Sequence, residues 1–93
     1  MLMIVTKDPD ADLDYTLDWS AWLGTDTIVR SSWTPAASSG ITAHSASIDG
    51  TGKKTTVWLS GGAGYSTYGV VNHITTAGGR QDDRTLRVTI QER

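Results

Sequence analysis

The densest group of side chains that could do chemistry is a run of four aspartates at alternate positions, Asp8, Asp10, Asp12 and Asp14. Carboxylates spaced in this way could bind a hard cation such as Ca²⁺. The EF-hand pattern nevertheless fails, because Leu13 stands where that loop needs glycine and Trp19 where it needs glutamate. Runs of charge are mostly solvated surface, so the sequence favours a strand edge that discourages pairing over a metal site.

Groups suited to catalysis are few. His44 and His73 belong to no cluster with ligand spacing, and the absence of cysteine excludes thiolate nucleophiles, disulfides and cysteine zinc sites. Serines are numerous enough to give a serine, histidine and aspartate combination by chance, so both histidines are interpreted as ordinary strand residues. The pairs Gly61-Gly62 and Gly78-Gly79 match no phosphate-binding motif and are interpreted as turns that need positive φ. We therefore predict no enzyme activity, no cofactor and no metal.

The four tryptophans, in a chain without phenylalanine, are the remaining candidates for binding. Trp19 and Trp33 continue apolar strand faces, so we predict that they fill the core. Trp22 and Trp58 fall on less certain faces, and either could anchor a protein interface or stack on a sugar ring. A polar segment near the end could fix its own loop through an arginine–carboxylate contact or meet a neighbouring subunit; its charged residues are Arg80, Asp82, Asp83 and Arg84.

Length and charge narrow the class of protein. A chain of 93 residues makes one domain. Eight Lys and Arg against ten Asp and Glu give a net charge of −2, which disfavours a nucleic-acid partner. No stretch approaches the roughly 20 apolar residues of a membrane helix. The apolar start, residues 1–5, is short for a signal peptide and follows no basic residue.

The elements that must position these residues are short strands. Period-two alternation is clearest from Leu13 to Trp19, where it favours a strand over a helix. In the next strand we expect Ile28 to face away from Trp33, and Pro35 to end the strand or mark a sheet edge. Asp49-Gly50 predicts a hairpin turn. The predicted strands cover residues 13–19, 26–33, 41–48, 54–60, 66–76 and 84–91, with a short additional one near 3–6.

Strands at this spacing predict an all-β protein. The expected architecture is a single immunoglobulin-like antiparallel β-sandwich of about six to eight strands. We assign residues 13–93 to the sandwich and residues 1–12 to a short extended N-terminal arm. Such an arm could join a neighbour by adding a strand to its sheet.

Several blocks of the sequence resemble small virion proteins of tailed phages. The first half contains Lys7-Asp8-Pro9-Asp10, Leu13-Asp14-Tyr15-Thr16-Leu17-Asp18-Trp19 and Ser32-Trp33. The second half contains Val57-Trp58-Leu59-Ser60-Gly61-Gly62, Gly78-Gly79-Arg80 and Asp82-Asp83-Arg84. Between Lys7 and Ile90 the chain is similar to the phage fiber-tail adaptor type.

The resemblance implies a noncatalytic structural component of the virion, assembled in the host bacterial cytoplasm. It implies several copies in a symmetric assembly around the neck or tail, with tail, neck or fibre subunits as partners. From the charge and hydropathy we expect no nucleic-acid or membrane partner. The alternatives are a capsid-decoration or carbohydrate-binding sandwich on the virion surface, and a small hydrolase using His44 or His73. The predicted interface residues are Lys7, Asp8, Pro9, Asp10, Asp12, Trp22, Trp58, Arg80, Asp82, Asp83 and Arg84.

Overall fold

The computed structural model describes residues 3–92, which form seven strands in two sheets and one turn of helix. This confirms the predicted all-β sandwich. The turn of helix follows the strand that ends at Asp18, where we had expected no helix; it is too short for a helical period to show in the sequence. The elements are β1 (Met3–Lys7), β2 (Leu13–Asp18), α1 (Ser20–Leu23), β3 (Ile28–Pro35), β4 (Ile41–Ile48), β5 (Lys54–Gly61), β6 (Thr67–Thr76) and β7 (Gln81–Ile90).

The two sheets divide the strands unequally. One sheet has the order β1-β7-β6-β3, with β1 parallel to β7, and the other has the order β2-β5-β4. The predicted Asp49-Gly50 turn joins β4 to β5, and the Asp49 carboxylate accepts hydrogen bonds from the backbone of Lys53 and Lys54. The strand order is compatible with an immunoglobulin-like sandwich, which stays a prediction.

The first twelve residues include the short strand expected near residues 3–6. Strand β1 pairs with β7 from Met3 opposite Leu86 to Lys7 opposite Ile90, and residues 8–12 connect it to β2 in the other sheet. The chain therefore crosses between the sheets at this connection. The boundary of the sandwich at residue 13 stays a prediction.

The core lies between the sheets and has two connected parts. The inner face of β6 shows period-two alternation, with Val70, Asn72 and Ile74 buried. Trp19 is fully buried at one end, and Trp33 is half-buried against both parts of the core. Tryptophan therefore supplies the large aromatic volume that phenylalanine supplies in many other cores.

Bulges interrupt two strands, and one of them changes a predicted strand face. In β3 the register with β6 shifts between Ile28 and Arg30, and Val29 turns outward with 54% of its surface exposed. Ile28 and Trp33 consequently both pack inward, so the prediction that they face opposite ways is wrong; one extra residue reverses the alternation. A second shift interrupts β4 between His44 and Ser47. Pro35 ends β3, at a sheet edge, as predicted.

The last strand begins earlier than predicted. Asp82 and Asp83 lie within β7, paired with Ile74 and His73 of β6, rather than in a loop. The turn between β6 and β7 is short, since it is closed by a hydrogen bond from the Thr76 N–H to the Arg80 carbonyl. Among the described residues, no helix is long and apolar enough to cross a membrane.

Candidate functional site

Trp58 stands on the outer face of the three-stranded sheet. Its neighbours in β5, Val57 and Leu59, are fully buried, so the indole points outward with 38% of its surface exposed. The strand registers place Asp14 of β2 and His44 of β4 directly opposite Trp58 on its two sides. Residues opposite one another in a sheet project from the same face, so these three side chains form one row.

Asp12 adds a second carboxylate to this row. Its Oδ1 lies 2.8 Å from His44 Nε2, and His44 Nδ1 lies 2.9 Å from Ser45 Oγ. The imidazole centroid is 6.4 Å from that of Trp58, with the planes tilted by 32°. We name Asp12, Asp14, His44 and Trp58 the Trp58 face. It combines an exposed aromatic ring with two carboxylates, so it suits a partner that is both apolar and cationic.

The predicted interface segment before Asp12 is a turn tied to the sandwich. The Asp10 N–H donates to Asp8 Oδ1, and the Ala11 N–H donates to the Asp8 carbonyl, with Pro9 at the turn. Lys7 is fully buried, and its ammonium donates to the carbonyls of Gly61 and Asp8 at 2.6 and 2.8 Å. Burial lowers the pKa of this ammonium. Lys7 thus anchors the turn from the interior of the sandwich, and within residues 7–12 only those after Lys7 present side chains at the surface.

A second group of predicted interface residues packs around α1. We name Trp19, Trp22, Asp26, Arg80 and Arg84 the Trp–Arg cluster. Trp22 meets Trp19 edge to face, with centroids 5.6 Å apart and planes at 70°. The guanidinium of Arg80 lies 4.3 Å from the Trp22 ring centroid, and that of Arg84 lies 4.1 Å from the Trp19 centroid. Each arginine is therefore placed for a cation–π contact.

Asp26 holds the Trp–Arg cluster together. Its carboxylate accepts from the backbone N–H of Gly78 at 3.0 Å and from Arg80 Nε at 3.1 Å, and Arg80 also donates to the Leu23 carbonyl. The Thr76 hydroxyl contributes most to holding the pKa of Asp26 far below its usual range. In the Gly78-Gly79 pair, Gly79 has the positive φ that we predicted, at +86°, whereas Gly78 does not; a Cβ at Gly78 would approach Asp26 Oδ2 to 2.8 Å.

These contacts give Trp22, Arg80 and Arg84 a structural role. They join α1 to the turn between β6 and β7, and Arg84 also donates to the Asp18 carbonyl at 3.0 Å. Asp82 Oδ1 accepts from the Asp83 N–H. An interface role for this group stays a prediction, but its charged groups already have partners within the chain.

The family of the chain follows from a comparison with known families. A family described as "Podophage GP4 fiber-tail adaptor protein gp77" matches residues 7–89. The chain belongs to this family. The match confirms the resemblance to phage fiber-tail adaptors and takes in both the Trp58 face and the Trp–Arg cluster of the adaptor. Family membership agrees with a structural role in a phage particle. A search of curated proteins found no match.

The adaptor also places a serine, a histidine and an aspartate in one row. Ser32 of β3 and Asp83 of β7 lie opposite His73 of β6. The imidazole Nδ1 contacts the Asp83 carboxylate and Nε2 lies 3.0 Å from Gln81 Oε1, so both ring nitrogens are engaged by β7. A hydrolase triad needs the second nitrogen at the serine hydroxyl, an arrangement absent from this row.

The Asp83 contact gives a pH-dependent prediction. Its hydrogen bond is the main cause of a raised pKa for His73, with Gln81 contributing next. A raised pKa in the folded state stabilises the adaptor at low pH, and this contribution is lost as the pH rises through that pKa. We expect an NMR titration of the His73 ring to give a pKa above the ordinary value of about 6.5 and to fall in Asp83→Asn. Asp82→Asn, which removes only a weaker charge effect, serves as the control. An unchanged titration in Asp83→Asn would contradict the assignment.

Two further features of the adaptor bear on ligand binding. An open groove of about 580 Å³ follows the outer edge of β3. Within residues 3–92, no three His, Asp or Glu side chains are gathered so as to hold a metal ion, and this includes the aspartate run. The residues that line the groove are Val29, Arg30, Ser31, Ser32, Ile48, His73 and Thr75.

The sequence reasoning missed two members of the Trp58 face. Neither was predicted as an interface residue: Asp14 was considered as part of the acidic run, and His44 as an ordinary strand residue or a hydrolase candidate. Their proximity to Trp58 depends on the registers of β2 and β4 against β5. The alternation in β5 could have indicated an outward Trp58, because Val57 and Leu59 are apolar on either side of it.

Proposed function

We propose that this adaptor is a noncatalytic connector that joins a tail or neck part of a podophage particle to a fibre or a neighbouring subunit. We further propose that the Trp58 face is its joining surface. The observation that carries this choice is the exposed indole of Trp58, set between Asp14 and His44 on a sheet face that is otherwise polar. Tryptophan is among the residues most enriched in the energetic centres of protein interfaces.

The Trp58 face is a better joining surface than the Trp–Arg cluster. In the cluster, Arg80 and Arg84 cover the rings of Trp22 and Trp19, so a partner would have to displace contacts that already exist. At Trp58 the nearest ring is the imidazole of His44, which lies beside the indole at 6.4 Å rather than over it. A partner can therefore cover the indole without breaking an internal ion pair.

The charges around Trp58 define the chemistry of the partner. Asp14 stands opposite Trp58, Asp12 contacts its neighbour His44, and the turn that carries Asp8 and Asp10 precedes both in the chain. An arginine or lysine of the partner could lie over the indole and meet a carboxylate at the same time. We therefore propose a partner segment with a basic residue at its centre. Several copies in a symmetric assembly, built in the host cytoplasm, complete the proposal.

The proposal is tested by replacing Trp58 in the phage. Removal of a central interface tryptophan costs about 2 kcal/mol or more, which corresponds to roughly thirty-fold in affinity. We expect Trp58→Ala particles to lose the adaptor or the component that it holds, as measured by mass spectrometry and cryo-electron microscopy of purified particles. The thermal midpoint of the isolated protein should change little, because the indole is partly exposed.

Tyr65→Ala is the matched control. Tyr65 is also an exposed aromatic residue, with 72% of its surface accessible, but it lies in the loop between β5 and β6 and donates to Glu92. Particles carrying this change should match the wild type. Wild-type composition and fibre number in Trp58→Ala particles would overturn the choice of surface.

A carbohydrate-binding role is the second candidate, and the exposed indole of Trp58 favours it. Among the four tryptophans, Trp58 alone belongs to the large apolar side chains exposed in residues 3–92. An exposed indole beside carboxylates can stack on a sugar and accept its hydroxyl hydrogen bonds. Glycan-array binding by the isolated protein that disappears in Trp58→Ala would favour this role. Absence of binding across the array would count against it.

A further inference from the structure

The strands β1 and β2 form one open side of the sandwich. Within residues 3–92, each is the outermost strand of its sheet, β1 beside β7 and β2 beside β5. Two large apolar side chains are exposed along this side, Ile4 at 63% and Leu13 at 43%. Sheet edges with exposed apolar residues readily pair with another chain.

The opposite open side, formed by β3 and β4, is protected against such pairing. Both of its strands contain register shifts, and β3 ends at Pro35. Bulges and prolines are common devices that prevent strand addition at a sheet edge. The registers of β1 with β7 and of β2 with β5 run without a shift. The β1–β2 side therefore keeps regular strand geometry where the other side does not.

The charges on the β1–β2 side complement one another. Arg87 of β7 lies opposite Ile4 and is exposed on the outer face of its sheet. Strand β2 presents Asp14 and Asp18 on its exposed face. The sheet edge at β1 thus has an exposed cation one strand in, on β7, and the edge strand β2 carries exposed carboxylates. A two-fold axis along this side would bring Arg87 of each copy toward the acidic strand of the other.

We infer that a second copy of this chain docks on the β1–β2 side through a two-fold symmetric contact. Strand β1 of each copy lies along β2 of its partner, so that each sheet continues into the neighbouring molecule. The contact covers Ile4 and Leu13 and places Arg87 near the partner's acidic strand. It rests on the part of the proposed function that assembles several copies, and it supplies one contact, which joins those copies in pairs.

The test is the association of the isolated full-length chain, measured by sedimentation velocity over concentrations reaching the millimolar range. We expect a dimer whose dissociation constant rises more than about ten-fold in Arg87→Asp and in Asp14→Arg, because like charges then face each other. The Arg87→Asp, Asp14→Arg double variant should restore association. Failure of the double variant to restore it would overturn the inference, as would a wild-type chain that stays monomeric throughout.

Replacing two exposed apolar residues by lysine locates the contact independently. Leu13→Lys should dissociate the dimer, whereas Val29→Lys, at a similarly exposed residue on the β3–β4 side, should leave it intact. Circular dichroism checks that both variants stay folded. Dissociation in Val29→Lys but not in Leu13→Lys would place the contact on the β3–β4 side and overturn the inference. Trp58→Ala should leave dimerisation unchanged, so a failure of the joining surface and a failure of the dimer are distinguishable.

Discussion

Replacement of Asn72 by alanine is expected to lower the free energy of unfolding by about 3 to 5 kcal/mol. The amide is fully buried, and all of its hydrogen-bonding capacity is used. Its Oδ1 accepts from Trp19 Nε1 at 3.1 Å and from Thr55 Oγ1 at 2.8 Å. Its Nδ2 donates to Ser31 Oγ at 2.9 Å and to the Ser32 carbonyl at 3.0 Å.

The size of the effect comes from where these partners lie. Asn72 belongs to the β1-β7-β6-β3 sheet, whereas Thr55 belongs to the facing sheet and Trp19 follows its first strand. The side chain therefore bridges the two layers of the sandwich. Alanine leaves two buried donors without an acceptor, each costing about 1 to 3 kcal/mol, and leaves a cavity as well.

Urea denaturation monitored by tryptophan fluorescence measures the loss. Thr55→Val removes one bond of the group and should cost less than Asn72→Ala. The double variant should cost less than the sum of the two single changes, because the Thr55 donor is no longer left without its acceptor. Gln91→Ala, at an exposed position, should change stability very little. A loss below about 1 kcal/mol in Asn72→Ala would show that the bridge contributes little.

The sequence indicates which residues share a strand face with Asn72, but not the role of Asn72. Period-two alternation along β6 places it between Val70 and Ile74, and all three are buried. Alternation reports which side of a strand meets the core, because successive residues project from opposite faces. It does not report what stands on the other sheet. The partners Trp19 and Thr55 come from distant parts of the chain, so only the packing of the layers reveals them.

The differences between prediction and structure have local causes. The bulge in β3 adds one residue at Val29, whose neighbours look like an ordinary strand, so the faces of Ile28 and Trp33 could not be assigned correctly by counting. Lys7 was predicted to belong to the interface segment because an N-terminal arm could add a strand to a neighbour, and the sequence did not indicate its burial. It is buried because the carbonyls of Gly61 and Asp8 take up its ammonium. The Trp58 face could not be predicted either, because it depends on the registers of β2 and β4 against β5.

Replacement of Gly61 by alanine should destabilise the fold by about 2 to 4 kcal/mol, for two separable reasons. Gly61 has φ of +76°, as the interpretation of the Gly61-Gly62 pair predicted, and a residue with a Cβ is strained there. In addition, the Cβ would lie 2.6 Å from the carbonyl oxygen of Gly40, a backbone atom that no rotamer change can move away. A shift of this segment would also disturb the Gly61 carbonyl that holds Lys7.

Two other glycines separate these causes. Gly64 has φ of +66° and open space around a Cβ, so Gly64→Ala should show the backbone strain alone, about 1 to 2 kcal/mol. Gly50 has neither a positive φ nor a close neighbour, so Gly50→Ala should be nearly neutral. Urea denaturation of the three variants should therefore show the largest loss of unfolding free energy in Gly61→Ala, a smaller loss in Gly64→Ala and the smallest in Gly50→Ala. Equal losses at Gly61 and Gly64 would mean that the chain near Gly40 moves aside, and that positive φ alone requires glycine at the end of β5.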